Sequence, residues 1–224
     1  MFEAVNFPGC PPGHWNAESG GAVAATLFGF TDCSGSSGFR GRGTPGEPYR
    51  VALDGRESME IGGLDLSTRP GYTVAVWFRV NKRSEKRAIL VDSWKAAFYT
   101  PLRLMIADGK PACSIEAPFP DRIYVASASA PIGFAQWHQA ACRFRAASRE
   151  LALFVDGHLD ASSRIPPGSI HSDRVRIGAG PAGGEGFAGD IAEVIFSNQP
   201  EQEEAIQTRC QQGSARFAGA RCGR

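Results

Sequence analysis

Hydrolysis of a glycosidic bond needs two carboxyl groups facing one cleft, one to protonate the leaving oxygen and one to attack or to activate water. On an extended strand two such groups share a face only when an even number of positions separates them. The acidic residues in strand-like runs of this sequence are Glu57 and Glu60, Asp190 and Glu193, and the lone Glu116. Each pair is three positions apart, so a regular strand sends its members to opposite faces. The expectation is that no catalytic pair forms and that the protein is not an enzyme. Other chemistry is equally thin. His14, His138, His158 and His171 are scattered, and His138, following Trp137 in an alternating run, reads as a half-buried hydrogen-bonding residue. No serine is flanked as in a nucleophile elbow, and no glycine-rich loop carries the lysine of a phosphate cradle.

Recognition leaves a different trace. A sugar is held by an exposed aromatic ring against its face, with amide or carboxylate partners nearby. In VDSWKAAFYTP, residues 91–101, the alternation breaks down between two strand-like runs and leaves Trp94, Phe98 and Tyr99 together, with Asp92 and Lys95 beside them. Trp94, Tyr99, Phe98 and Asp92 are the candidate ligand-binding set. Phe119 and Tyr124 in APFPDRIYV come next. Asp92, Asp108, Asp156 and Asp160 are the acidic loop or strand-end residues that could offer oxygens to calcium. Asp108 and Asp156 already open Asp-Gly turns and no D-x-D-x-D cluster is present, so no cofactor is expected, calcium being the one alternative.

What would hold such residues in place is a set of short strands. In ELALFVDGHLDAS, residues 150–162, Leu151, Leu153 and Val155 share one face, and Asp156-Gly157 supplies the positive φ angles of a tight hairpin turn. Twelve runs of this kind follow one another: YRVAL, SMEIGGL, YTVAVWFRV, RAILVDSW, LRLMIA, PACSIEA, RIYVASAS, WHQAACRFR, LALFV, HLDAS, RVRIGA and FAGDIAEVIFS. Turn signals every 8 to 12 residues or so point to an antiparallel sandwich. No helical pattern alternates with the strands, which disfavours a parallel sheet. In YTVAVWFRV, Val74, Val76, Phe78 and Val80 look inward, and Trp77 covers the opposite face or a sheet end. GAGPAGGEGFAG, residues 178–189, follows a strand without opening a helix and reads as a flexible hairpin or crossover loop. NKRSEKR, residues 81–87, reads as a solvated hairpin end.

The chain divides by composition. Residues 1–47 are rich in Gly, Pro and Ser and show no sustained period, so they read as an irregular N-terminal arm; residues 48–198 hold the strands; residues 199–224 hold a short helix candidate and a tail. The helix candidate, QPEQEEAIQTRCQQG, has Pro200 near its start, acidic residues in its first turn and Gly213 after its end. With 224 residues, 42% of them hydrophobic, the chain is long enough for one sizeable core. A formal net charge of +1 gives no field to attract nucleic acid or an acidic membrane surface. AVAATLFGF, residues 22–30, is far short of the roughly 20 apolar residues that span a bilayer, and no secretion signal is visible.

The order of these elements resembles the concanavalin A-like lectin/glucanase jelly rolls, in particular their laminin-G-like members. VALDGRESMEI looks like the opening hairpin of such domains, GYTVAVWFRV like their Thr-to-Trp strand and WHQAACRFR like their Trp-His strand. LALFVDGHLDAS resembles the Val-Asp-Gly hairpin, GFAGDIAEVIFS the last strand, and QPEQEEAIQTRC the short helix that often follows it. Ala192 departs from the family, which often carries an acidic residue there. The resemblance implies an all-β, antiparallel two-sheet jelly-roll sandwich with an irregular N-terminal arm and a short C-terminal helix.

Six cysteines stand at 10, 33, 113, 142, 210 and 222. Cys142, beside Ala140 and Phe144, and Cys113, on a face with Ile115, can sit in the core as free thiols. Cys10, Cys33, Cys210 and Cys222 lie in the terminal segments, which cannot bury much apolar surface. In the resembled superfamily the first and last strands are neighbours, which brings both tails to one side. The four then form up to two disulfides, 10–33 with 210–222 or crossed between the tails, and such bridges favour an oxidising compartment, extracellular or within an organelle lumen. The function expected is lectin-like or adhesive recognition of glycan or protein through the sandwich loops. The alternative is an accessory subunit whose arms clasp its neighbours in a larger complex, and a glycoside hydrolase comes third.

Overall fold

The computed structural model describes residues 1–3, 14–16, 24–30, 37–64, 70–82, 87–95, 99–118, 121–166, 172 and 174–222. The runs expected to be strands are strands. In chain order they are β1 (Phe2–Glu3), β2 (His14–Asn16), β3 (Ala24–Phe28), β4 (Gly38–Arg40), β5 (Arg50–Asp54), β6 (Ser58–Gly62), β7 (Gly71–Val80) and β8 (Ala88–Lys95). There follow β9 (Tyr99–Ala107), β10 (Lys110–Pro118), β11 (Asp121–Ser127), β12 (Trp137–Arg145), β13 (Glu150–Val155), β14 (His158–Arg164), β15 (Arg174–Ile177) and β16 (Ala188–Ser197), then helix α1 (Glu203–Ser214).

Two antiparallel sheets face each other. The first runs β14-β13-β12-β7-β16-β5-β4, with β1 also on β16; the second runs β11-β10-β9-β8-β15-β6-β3-β2. Alternation decides what lies between them. Val74, Val76 and Phe78 from the first sheet meet Leu90, Leu104 and Ile177 from the second in one continuous core. The hairpin turns follow from the Asp-Gly pairs: Asp108 and Gly109 have φ of 51° and 74°, and Asp156 and Gly157 have 50° and 85°. The crossover from β15 to β16 passes through the glycine-rich loop, which carries the chain from the second sheet to the first.

The first 47 residues are less irregular than their composition suggests. Their described parts contribute β1 to β4 to the two sheets, with Trp15 fully buried on β2 and β1 pairing with β16. Strands of two to five residues are too short to display a period between glycines and prolines. They form because a sheet edge is there to receive them.

The outer face of the first sheet is covered by the chain's own C-terminus. Ile206 of α1 lies on a floor of Ala75, Ala141, Ala152 and Phe154. Beyond it Phe217 packs on Trp77 and Trp137, ring centroids 4.7 and 4.6 Å away. Gly213, expected past the end of the helix, lies inside it. An added Cβ would fall 2.7 Å from Trp77 Nε1, so close packing on the indole rather than helix termination selects glycine there.

Cysteine pairing corrects one expectation. Cys113 and Cys142 are not free core thiols but a disulfide joining β10 of one sheet to β12 of the other, Cα atoms 5.7 Å apart. Both were placed correctly on inward faces; the sheets converge on this side, where β11 packs against β14, and that closeness brings the two sulfurs together. Cys210 and Cys222 are bonded, with Cα atoms 5.6 Å apart, and tie α1 to the tail. Cys10 and Cys33 lie outside the described residues.

Candidate functional site

Carboxylates come first because the sequence rule for them fails here. β16 carries a bulge between Ile191 and Glu193: Asp190 pairs with Arg79, Ile191 with Phe78 and Glu193 with Trp77. The extra residue, Ala192, shifts the alternation, so Asp190 and Glu193 share the outer face of the first sheet instead of opposing each other. Arginine nonetheless claims both. Arg79 donates to Asp190 Oδ2 through Nε at 2.9 Å and Nη2 at 2.7 Å, Asn81 Nδ2 donates to the same oxygen at 2.6 Å, and Arg50 Nε donates to Oδ1 at 3.2 Å. Glu193 is paired with Arg216 of the tail. Both carboxylates are buried, so the pair forms a structural clamp beneath the C-terminal cover.

The outer face of the second sheet is organised differently. Register aligns Thr26 of β3, Glu60 of β6, Arg176 of β15, Asp92 of β8, Arg103 of β9 and Ser114 of β10 in one row across the strands. Charge alternates along it. Arg176 Nη2 donates to Glu60 Oε2 at 2.7 Å, and Arg103 Nε donates to Asp92 Oδ2 at 3.0 Å. Arg176 also donates through Nη1 to the carbonyls of Gly180 and Pro181, and its guanidinium lies 5.2 Å from the Trp94 ring and 5.6 Å from the Phe28 ring. Asp92 is fully buried. Burial pushes the Asp92 carboxyl up to about 6, against the pull of the Arg103 charge and hydrogen bond and of the Ser93 amide, with Glu185 adding a further push upward.

Of the four candidate binding residues the structure describes the side chains of two. Asp92 and Trp94 lie on the same outer face of β8, but Trp94 is only 9% exposed and is not the open ring platform its sequence context suggested. The reason is the strand itself: β8 extends through Lys95, and Trp94 faces Arg174 and packs with Arg176. Tyr99 opens β9, and its side chain, like all of Phe98, lies outside the described residues. Phe119 is also outside them, and Tyr124 packs against the core. Of the Asp residues weighed for calcium, Asp156 accepts from the Gln139 amide at 2.9 Å and lies 2.8 Å from His138 Nδ1, and Asp160 accepts from the Ser129 amide at 2.8 Å. Among the described residues no group of three or more His, Cys, Asp or Glu side chains could hold a metal.

Sequence reasoning passed over Arg103 and Arg176 and weighed Glu60 only as half of a catalytic pair. Their signal was present as alternation, in SMEIG, LRLMI and RVRIG, where each charged residue opposes apolar neighbours. Only strand order shows that the three meet.

A laminin G family model, described as the concanavalin A-like lectin/glucanases superfamily, matches residues 53–207, more than half of the chain. The chain belongs to that superfamily. The superfamily fold extends to solved structures of low sequence identity. The receptor binding domain of botulinum neurotoxin mosaic serotype C/D aligns with a TM-score of 0.68 at 12% identity, over 94% of this chain and 51% of that one. The ligand binding domain of botulinum neurotoxin serotype D, in complex with N-acetylneuraminic acid, aligns with a TM-score of 0.63 at 10% identity, over 94% of this chain and 52% of that one. The binding domain of serotype G aligns with a TM-score of 0.63 at 10% identity, over 87% and 47%. This chain thus spans about half the length of those domains, and at such identity the likeness is one of fold. No curated protein matches the sequence.

Proposed function

We propose that this protein is a non-catalytic recognition module that holds a glycan on the second sheet and the loops at its rim. The observation that carries the reading is the unequal finish of the two outer faces. The first is sealed by α1 and the disulfide-tied tail. The second has no such cover; it carries a charge-balanced, largely buried row beside exposed apolar side chains, Phe28 at 45% and Ile123 at 52%. The superfamily's lectin-like fold supports a binding role, as do the names of its structural neighbours, one of them solved with a sialic acid. Two disulfides suit an oxidising compartment. The test is retention on a panel of immobilised neutral and sialylated oligosaccharides. Retention that free sugar reverses is expected, and passage through the whole panel unretarded sinks the glycan reading.

A second reading, an accessory subunit of a larger complex, has one observation in its favour. β11 ends the second sheet, with Ile123 and Val125 exposed at alternate positions on it. That reading requires a native mass well above 23.9 kDa together with co-purifying chains. The C-terminal half of a clasping arrangement is already committed elsewhere, because the helix and tail hold their own sheet.

A further inference from the structure

One aromatic ring on the open face of the second sheet is exposed and yet firmly mounted. Phe28 ends β3 and is 45% exposed. The Arg176 guanidinium lies over its ring at 5.6 Å. That guanidinium is itself held by Glu60, by the carbonyls of Gly180 and Pro181 and by the Trp94 ring. The chain turns directly after Phe28: Gly29 has a φ of 82°, and an added Cβ there would fall 2.7 Å from the Arg56 carbonyl oxygen. A scattered exposed phenylalanine is ordinary on a protein surface. One fixed from behind by a fully engaged arginine is a prepared apolar platform.

Polar groups lie beside the ring in register. Phe28 pairs with Ser58; two positions along, Thr26 pairs with Glu60, and Glu60 pairs with Arg176. Two positions further, Arg174 of β15 pairs with Gly62 on one side and with Trp94 on the other. Gly62 leaves open floor there, since an added Cβ would meet no atom within 4 Å. Thr26 is exposed, and the Arg174 side chain is 60% exposed. One carboxylate serves two guanidinium groups. Arg176 takes Glu60 Oε2 at 2.7 Å, while Arg174 Nη1 stands 3.7 Å from Oε1, beyond hydrogen-bond reach. Arg174 therefore carries a positive charge that Glu60 does not cancel, on N–H donors open to solvent.

We propose that Phe28 and Arg174 are the two anchors of a binding site for an acidic saccharide. The Phe28 ring stacks on the apolar face of one sugar, and the Arg174 guanidinium donates to the carboxylate of another. The chemistry selects that class. A pyranose face fits an exposed ring, Thr26 and Glu60 between the anchors offer partners to hydroxyl groups, and the uncancelled charge on Arg174 calls for an anion. Spacing sets the size. Arg174 lies two strands across from Phe28 and four positions along, about 10 and 13 Å by strand geometry, so the ligand is two or more linked sugars. The site is preformed, because Arg176 holds the ring on one side and the carbonyls of Gly180 and Pro181 on the other. This inference rests on the glycan reading and adds to it a place on the sheet, two anchors and a ligand charge.

The experiment titrates lactose, 3′-sialyllactose and digalacturonate into the protein by calorimetry, at low and at raised salt. Wild type is expected to bind at least one of the two acidic sugars about tenfold more tightly than lactose, with the preference shrinking as salt rises. Arg174→Gln removes the charge and is expected to bring the acidic sugar down to the affinity of lactose. Phe28→Ala removes the platform and is expected to weaken both classes about fivefold. Both side chains are exposed, so both variants are expected to keep the wild-type melting transition. Acidic-sugar affinity unchanged in Arg174→Gln, or any sugar bound equally well by Phe28→Ala, overturns this site and leaves the glycan reading standing. Lactose bound as tightly as the acidic sugars overturns the ligand charge. No binding of any sugar here or on the immobilised panel overturns both readings.

Discussion

Asp190 and Glu193 face the same way from one strand, three positions apart, because the Ala192 bulge lies between them. Each is neutralised by arginine, Asp190 by Arg50 and Arg79 and Glu193 by Arg216. Their shared face is therefore a clamp that fastens β5, β7, β16 and the tail together. Asp190→Ala leaves two guanidinium groups without their anion and is expected to cost about 3 kcal/mol, read as a lowered denaturation midpoint. A loss below about 0.5 kcal/mol, in the range of ordinary surface changes, removes the clamp from the account.

Asp92 gives a pH signature of definite sign. Its folded carboxyl is raised from 3.8 to about 6, so the native state holds that proton more tightly than the unfolded chain does. The stability this adds is complete below about pH 4 and is lost as pH rises to about 6, a change of about 3 kcal/mol, constant above that. Asp92→Asn lacks the term. Denaturant unfolding of both proteins at several values between pH 4 and 7 is expected to show the variant gaining on wild type as pH rises, and parallel profiles contradict the assignment.

The disulfides make a countable prediction. Cys113, Cys142, Cys210 and Cys222 are expected to yield no reactive thiol in the native, unreduced protein. Cys222→Ser opens the bond that closes the tail, at a cost of about 3 kcal/mol. Because Phe217 then holds Trp77 and Trp137 less firmly, the tryptophan emission of the variant is expected to move to longer wavelength. Unshifted emission with unchanged stability means that the tail stays in place without its tie.

Gly213 separates packing from propensity. Alanine in a helix interior normally gains up to about 1 kcal/mol over glycine. Here the new methyl group meets the Trp77 indole, so Gly213→Ala is expected to lower stability by about 1 to 3 kcal/mol. A raised melting temperature shows that the helix has room to shift.

Much of this architecture was legible in the chain because alternation is local. Val74, Val76 and Phe78 announce a buried face within seven residues of YTVAVWF, and Asp156-Gly157 announces its turn with two. The site was less legible. Asp92 and Trp94 were singled out correctly as neighbours, but as members of an exposed loop, since WKAAFY breaks the period just where β8 ends. Arg103 and Arg176 drew no attention, because each in its own strand is only one charged residue among apolar ones.

The sequence by itself determined which side chains face inward, where the tight turns fall and that the chain packs as an antiparallel sandwich, since these depend on residues two to four positions apart. Tertiary structure decided everything that depends on distant segments meeting. The Ala192 bulge reversed the sense of a three-residue spacing, the convergence of two sheets joined Cys113 to Cys142, and strand order brought Glu60, Arg176, Asp92 and Arg103 into one row. Pairing register sets those relationships, and it is chosen by the packing of the whole core rather than by any one strand.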